Sequence, residues 1–365
     1  MRIVFNASRD LVHPHAGGSE VYVDHVMQGL HDRGHDVHLC VGGPVGPHSY
    51  GASSGGGTFS QYLRAPARTL RRHRHVDLVV DVANGMSYYS PMVRSAPTIC
   101  LVHHIHTSMW AEWFSPPVAA FGRFLEQRMM PLAYRNSTFV TVSDSTRMEL
   151  ESLGVAGNQI RVVHNATVVP AEPVATTDPD PLFVAVGRLV PHKQFHLLLE
   201  QWPKVREAIG GRLVIVGEGP ERARLEPLLT DGATLVGKVG DDERDQLLAR
   251  ATALIHPSHV EGWGLVVMEA AAQGTPTIGF DVPGIRDSVV HDSTGWLCDD
   301  VEDMTSRWIE TVTRPQDLLA ASTAARSRSH EFGLENTVAA FEAAALEAVA
   351  TESTTTDLAP VALSI

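Results

Sequence analysis

Short apolar runs alternate along this chain with longer stretches whose apolar positions recur every three or four residues. In the first half, Arg2–Asn6, Val37–Val41, Leu78–Val82, Thr98–His103, Thr138–Val142 and Ile160–Val163 predict strands. Helices are predicted near Ser19–Arg33, Phe121–Tyr134 and Ser145–Leu153. After a polar, proline-rich break the alternation restarts. Leu182–Val186, Leu213–Val216, Thr234–Val236, Ala253–His256, Thr277–Phe280 and Gly295–Leu297 predict strands. The helices among them fall near Gln194–Ile209, Glu221–Leu229, Asp241–Ala249 and Leu265–Gln273. Strands that alternate with helices imply parallel sheets with crossover helices, so the expected class is α/β, with two Rossmann-like domains whose parallel sheets face each other across a cleft.

The expected division is a first domain over 1–167, a linker over 168–181 and a second domain over 182–333. A helix over 334–350 is expected to pack back toward the first domain, followed by a disordered tail over 351–365. The Gly- and Ser-rich run Gly42–Gly57 reads as a mobile loop.

Composition narrows the class. A chain of 365 residues is long enough for two cores, and 44% hydrophobic with 19% charged residues is ordinary for a globular protein. A formal net charge of −13 argues against wholesale nucleic-acid binding. Cys40, Cys100 and Cys298 form no Cys-x-x-Cys pair and read as buried thiols in a reducing compartment. With no leader pattern and no long apolar run, the cytoplasm is the expected location, with the inner membrane face as the alternative.

The richest segment is Pro257-Ser-x-x-Glu261-Gly262-Trp263-Gly264-Leu265-Val266-Val-Met-Glu269. It sets two carboxylates around a glycine-flanked helix start, whose free N–H groups and positive dipole end suit a phosphate. Upstream, Gly187-Arg188-x4-Lys193 follows the first strand of the second domain. Arg offers a planar fork and Lys a compact charge at the carboxyl edge of the sheet, where ligands of such folds bind. Gly17-Gly18 follows the first strand of the chain, and His103 ends a later one. His103-His104-Ile-His106 invites a zinc reading but lacks an obvious third ligand. Gly217-Glu-Gly219-Pro220 fails to complete a dinucleotide fingerprint and reads as a structural turn.

Together these residues resemble the family 4 glycosyltransferases, retaining enzymes of the GT-B fold. The resemblance runs from Ala16-Gly-Gly-Ser-Glu20 to Gly295-Trp-Leu297. It implies a hexose-type transfer from a nucleotide-diphosphate sugar to a small-molecule or lipid-linked acceptor, without metal or other cofactor. It assigns Glu261 to the hydroxyls of the donor sugar and Glu269 to the ribose. Arg188 and Lys193 would meet the diphosphate, as would the N–H groups of Gly264, Leu265 and Val266. Gly187 and Gly262 belong to the same donor-binding motifs. Trp263, where the family often has Phe, is expected to keep an aromatic wall, and Val239 to pack on the base. Gly17 and Gly18 would let the backbone approach the donor phosphate. His103 would contact the reacting sugar, and Glu20 would support the loop. No residue stands out as a nucleophile, so front-face attack is the mechanism the resemblance favours.

Two further readings stay open. The basic run Arg64–His75 and the aromatics Trp110, Trp113 and Phe114 fit either a solvated face with a packed lid, the simpler reading, or contact with an anionic membrane. A non-catalytic nucleotide-sugar binder or a nucleotide-sugar epimerase would share the fold.

Overall fold

The structure is a computed structural model that describes residues 1–57, 60–62, 64, 75–170 and 180–356. Most of the basic run, 65–74, and most of the expected linker, 171–179, lie outside the described residues, as does 357–365 of the tail. The chain divides into two compact units, one of Met1–Ala166 with the segment from Leu334 onward, the other of Thr167–Gly333.

Unit 1 is built on a seven-stranded parallel sheet. Its strands are β1 (Arg2–Ala7), β2 (Asp36–Val41), β3 (Gly51–Ser54), β4 (Leu78–Ala83), β5 (Thr98–Val102), β6 (Thr138–Thr141) and β7 (Ile160–Val162), in the order β3-β2-β1-β4-β5-β6-β7. The inner strands are buried along their length apart from Arg2 at the start of β1, as expected of parallel strands covered by helices on both faces. Each Val, Leu, Ile or Phe so buried contributes about 1.5–3 kcal/mol before the entropy of ordering is deducted. The one charge within β4, Asp81, is fully buried. Burial raises its carboxyl, opposed by hydrogen bonds from Asn6 (2.8 Å), the Ser90 N–H (3.0 Å) and hydroxyl (2.8 Å), and Tyr134 (2.5 Å). β3 corrects the expectation of a mobile loop over Gly42–Gly57. Its Gly-Ala-Ser-Ser sequence has no apolar signal, and it pairs with β2 at the sheet edge through backbone, with the Ser53 hydroxyl 3.0 Å from His38 Nε2.

Helix α1 (Gly18–Asp32) lies close to prediction. The helix expected from Phe121 starts earlier, as α2 (Pro116–Phe124), because Pro116 and Pro117 suit a first turn. It continues without a break through a π-helical turn, Leu125–Met129, into Met130–Ala133. Helix α3 (Asp144–Ser152) is capped by the Ser143 hydroxyl, which accepts from the Thr146 N–H at 3.2 Å.

Unit 2 has a six-stranded parallel sheet. Strands β8 (Leu182–Val186), β9 (Arg212–Val216), β10 (Ala233–Gly237), β11 (Ala253–His256), β12 (Thr277–Phe280) and β13 (Gly295–Cys298) lie in the order β10-β9-β8-β11-β12-β13. Helices α4 (Phe195–Ile209), α5 (Asp241–Arg250) and α6 (Leu265–Ala272) lie as expected. Two more, α7 (Val301–Thr313) and α8 (Pro315–Ser329), stand where no helix was expected. α7 turns Met304 and Trp308 into the core, where Trp308 meets Phe183 and Trp202. The buried residues of α8 are Ala321, Ala325 and Ser329, a small-residue face without apolar signal.

The final helix, α9 (Leu334–Thr356), belongs to unit 1, where Phe341 stacks on Phe5 with ring centroids 5.8 Å apart. It runs beyond 350, so the first residues of the expected tail are helical. Cys40, Cys100 and Cys298 are free and buried. Among the described residues, no helix is long and apolar enough to cross a membrane.

Candidate functional site

In each unit the strand order reverses at one place, between β1 and β4 and between β8 and β11. At such a point the loops leaving the carboxyl ends of neighbouring strands run in opposite directions and leave a crevice. Most of the sequence-predicted residues gather at these two points, whereas Val239 follows the edge strand β10.

In unit 2 the loop after β8 carries Gly187, Arg188 and Lys193, and the loop after β11 carries Glu261, Gly262 and Trp263. The Gly217–Gly219 turn supports the first of these. A Cβ on Gly217 would lie 1.8 Å from the Gly187 carbonyl oxygen and one on Gly219 2.3 Å from that of Leu189, while the Leu189 N–H donates to Glu218 O at 2.9 Å. The turn is structural, as read from the sequence. Lys193 Nζ meets Glu261 Oε1 in an ion pair, and His256 Nε2 lies 3.0 Å from the same oxygen. Burial alone would raise the Glu261 carboxyl, but Lys193 and His256 overcome it and hold it well below the usual carboxylate range. Arg188 is exposed at the mouth of this loop.

Gly264 is the N-cap of α6 with φ 80°, a left-handed conformation, and a Cβ there would lie 2.8 Å from the Ile285 side chain. Only glycine fits, and it turns the chain so that the Leu265 and Val266 N–H groups open the helix. Glu269 lies one turn further on, and its Oε1 is 3.1 Å from Nη1 of Arg244 on α5. Burial raises the Glu269 carboxyl to about 7, opposed by Arg244 and reinforced by Asp245 and Asp241. Trp263 departs from expectation. Its ring is 2% exposed and packs edge-on against Phe332 at 4.9 Å, so it braces the loop instead of forming an open wall. Val239 is half-buried and packs on the apolar cluster around Val184 and Val216.

In unit 1 a pocket at the β1/β4 point is lined by Arg9, Ser19, Glu20, Asn84, His103, His104 and His106, among others. Gly17 is the N-cap of α1 and Gly18 its first residue. The buried Glu20 accepts from the Gly17 N–H (2.7 Å), the Ser19 hydroxyl (2.9 Å) and Arg9 Nε (3.2 Å), so it holds the loop as expected. His103 packs edge-on against Tyr22 at 5.1 Å, and its carbonyl accepts from the Thr146 hydroxyl at 3.4 Å. Burial, with a smaller push from His106, lowers its pKa to about 4, so the ring is neutral at neutral pH. Its Nε2 is buried with no hydrogen-bond partner, whereas the large majority of buried polar side-chain atoms have one. Among the described residues, no group of three or more His, Cys, Asp or Glu is arranged to hold a metal ion.

Sequence reasoning missed Arg244, His256 and Glu126. Arg244 sits in an acidic helix start with no motif, and His256 reads as the end of an apolar strand. Glu126 resembles any helix glutamate, yet it is 3% exposed. The aromatic segment also divides differently. Trp110 is buried, whereas Trp113 and Phe114 are exposed, together with Val118, Phe121 and Phe124 on α2.

Two all-parallel sheets of Rossmann type, each with charged or imidazole groups at its switch point, define a doubled ligand-binding α/β protein. The model of Glycosyltransferase Family 4 matches residues 16–168, and that of Glycosyl transferases group 1 matches 172–328. The chain belongs to the family 4 glycosyltransferases of GT-B fold. Glycogen synthase of Mycobacterium tuberculosis is 29% identical over 238 residues, which cover 62% of this chain and 55% of that protein. The chain spans about half the length of the curated relatives it matches in this way. Sucrose-phosphate synthase from Thermosynechococcus elongatus shares the fold with a TM-score of 0.78 at 19% identity, over 98% of this chain and 100% of that one. Anabaena HepE, in complex with UDP and glucose, does so with a TM-score of 0.76 at 16% identity, over 95% and 100%.

Proposed function

We propose that the protein transfers a hexose-type sugar, with retention and without a metal, from a nucleotide-diphosphate sugar to the hydroxyl of a small-molecule or lipid-linked acceptor. One observation carries the reading: Glu261 with Lys193, and Glu269 with Arg244, flank the N-terminus of α6 at the β8/β11 switch point. A donor bound there would offer its sugar hydroxyls to Glu261 and its ribose to Glu269. Its diphosphate would meet Lys193, Arg188 and the Leu265 and Val266 N–H groups. As the bond between the anomeric carbon and the phosphate oxygen breaks, these donors stabilise the charge left on the diphosphate. The acceptor hydroxyl attacks from the same face, and its proton passes to a phosphate oxygen. In the pocket of unit 1, His103 is neutral and unpartnered at Nε2, and it serves there as a hydrogen-bonding group that carries no charge of its own.

The exposed apolar face of Trp113, Phe114, Val118, Phe121 and Phe124 favours peripheral contact with a membrane, and with it a lipid-linked acceptor. Thermal unfolding with UDP-, GDP-, ADP- and dTDP-sugars tests the donor site, because a ligand bound only by the folded state raises its apparent stability. One of them is expected to raise Tm, and Lys193→Ala to abolish the rise. No shift with any donor overturns the reading. In the same preparation, co-sedimentation with anionic vesicles at low salt tests the membrane contact, and no binding overturns it.

A further inference from the structure

We infer that Glu126 is a positioning residue, one that fixes the loop carrying His103, His104 and His106. The inference rests on the proposed transfer reaction, since it concerns the pocket in which that loop places its imidazoles.

Glu126 lies in the π-helical turn Leu125–Met129, within a helix otherwise of α type. Such a turn adds a residue to one helical repeat and re-aims the side chains beside it, at a cost in hydrogen-bond geometry. Here the re-aimed side chain is a carboxylate only 3% exposed. A buried carboxylate needs donors, and every hydrogen bond that Glu126 accepts comes from one short loop. Oε1 accepts the His106 N–H at 2.7 Å and lies 3.5 Å from His106 Nδ1. Oε2 accepts the Trp110 indole N–H at 3.2 Å and the Thr107 hydroxyl at 3.3 Å. Gln127, next in the same turn, donates to Thr107 Oγ1 at 3.1 Å.

The indole is also fixed by shape. A Cβ on Gly122 would lie 2.4 Å from the Trp110 ring, and one on Gly85 would lie 3.0 Å from it. Glycine at both places leaves a slot in which the ring sits with its N–H toward Glu126. The loop so held begins at His103, where β5 ends, and its three histidines line the pocket with Arg9, Glu20 and Asn84. His104 and His106 stack with centroids 4.0 Å apart, so holding His106 also orders His104. Glu126 therefore acts through the loop: it decides where the imidazoles stand, and it need not touch a substrate.

The test uses the full chain with Glu126→Ala, Glu126→Gln, Trp110→Phe and the double variant Glu126→Gln/Trp110→Phe. Amide hydrogen exchange is expected to quicken about ten-fold or more over 104–110 in Glu126→Ala, with Thr98–Val102 unchanged. The second readout is turnover of whichever of UDP-glucose, GDP-mannose, ADP-glucose or dTDP-glucose the unmodified protein uses fastest. In Glu126→Ala, kcat should fall about ten- to a hundred-fold, the scale of a misplaced contact, while the donor's thermal shift is retained. Gln at 126 can still accept from the His106 N–H but turns its amide N–H against the indole N–H. Trp110→Phe removes that conflict, so the double variant should recover part of what Glu126→Gln loses. If Glu126→Ala does not fold, this pair carries the test alone. Unchanged exchange over 104–110, faster exchange with unaltered kcat, or strictly additive losses in the double variant would each overturn the assignment. Absence of turnover in the unmodified protein overturns the transfer reaction instead, and exchange over 104–110 then decides by itself whether Glu126 holds the loop.

Discussion

Burial brings the Glu269 carboxyl to about 7, against an ordinary value of 4.5, although Arg244 pulls the other way. Over that interval the folded chain holds a proton that the unfolded chain has released. The contribution of this group to stability is therefore complete below about pH 4.5 and is lost as pH rises through about 7. Ligand binding has the opposite dependence if Glu269 accepts hydrogen bonds from a ribose, because the ionised form is the better acceptor. Affinity for the nucleoside diphosphate that binds is expected to rise up to about ten-fold between pH 6 and 8, and Glu269→Gln to flatten the profile. Calorimetric titration at several pH values measures both, and a flat wild-type profile would remove Glu269 from the ribose. The two glutamates were legible in the sequence because they share one motif. Their partners were not, since Lys193 is 68 positions from Glu261 and Arg244 lies on another helix.

The regular elements were largely legible, because apolar runs and three-to-four periodicity mark parallel strands and their crossover helices. What escaped lacks such a mark. β3 pairs through backbone with an almost side-chain-free sequence, α8 buries alanine and serine, and a π turn differs from an α turn by one residue in a single repeat. Where one backbone crosses another, glycine alone gives the signal, and the Gly217 turn is the sharpest case. Gly217→Ala would drive a Cβ into the Gly187 carbonyl at φ 148° and should cost more than about 2 kcal/mol, reaching Arg188 and Lys193 through the displaced loop. Gly240→Ala, at the start of α5 with φ −73° and no atom within 4 Å of the new Cβ, should change stability by less than about 0.5 kcal/mol. Urea unfolding of the two variants compares them, and equal losses would mean that the Gly187 contact is not what requires glycine.

At the scale of the molecule, unit 2 is one continuous stretch of chain, whereas unit 1 is completed by α9. Val338 fills the space beside Gly29, Phe341 stacks on Phe5, and Glu342 meets both Arg33 (2.6 Å) and His35 (2.7 Å). Glu347 pairs with Arg161. A chain ended at Gly333 should keep a cooperative unfolding transition for unit 2 and lose that of unit 1, with hydrogen exchange over β1 and β4 rising toward unfolded rates. Protected β1 and β4 amides in the shortened chain would contradict this. The order of synthesis then matters. At about 5–20 residues per second, the strands of unit 1 wait roughly ten to forty seconds for α9 to leave the ribosome. Unit 2, second in the sequence, can finish folding first. For that interval the nascent chain carries a finished unit beside an open apolar sheet, the state in which a chaperone is most needed.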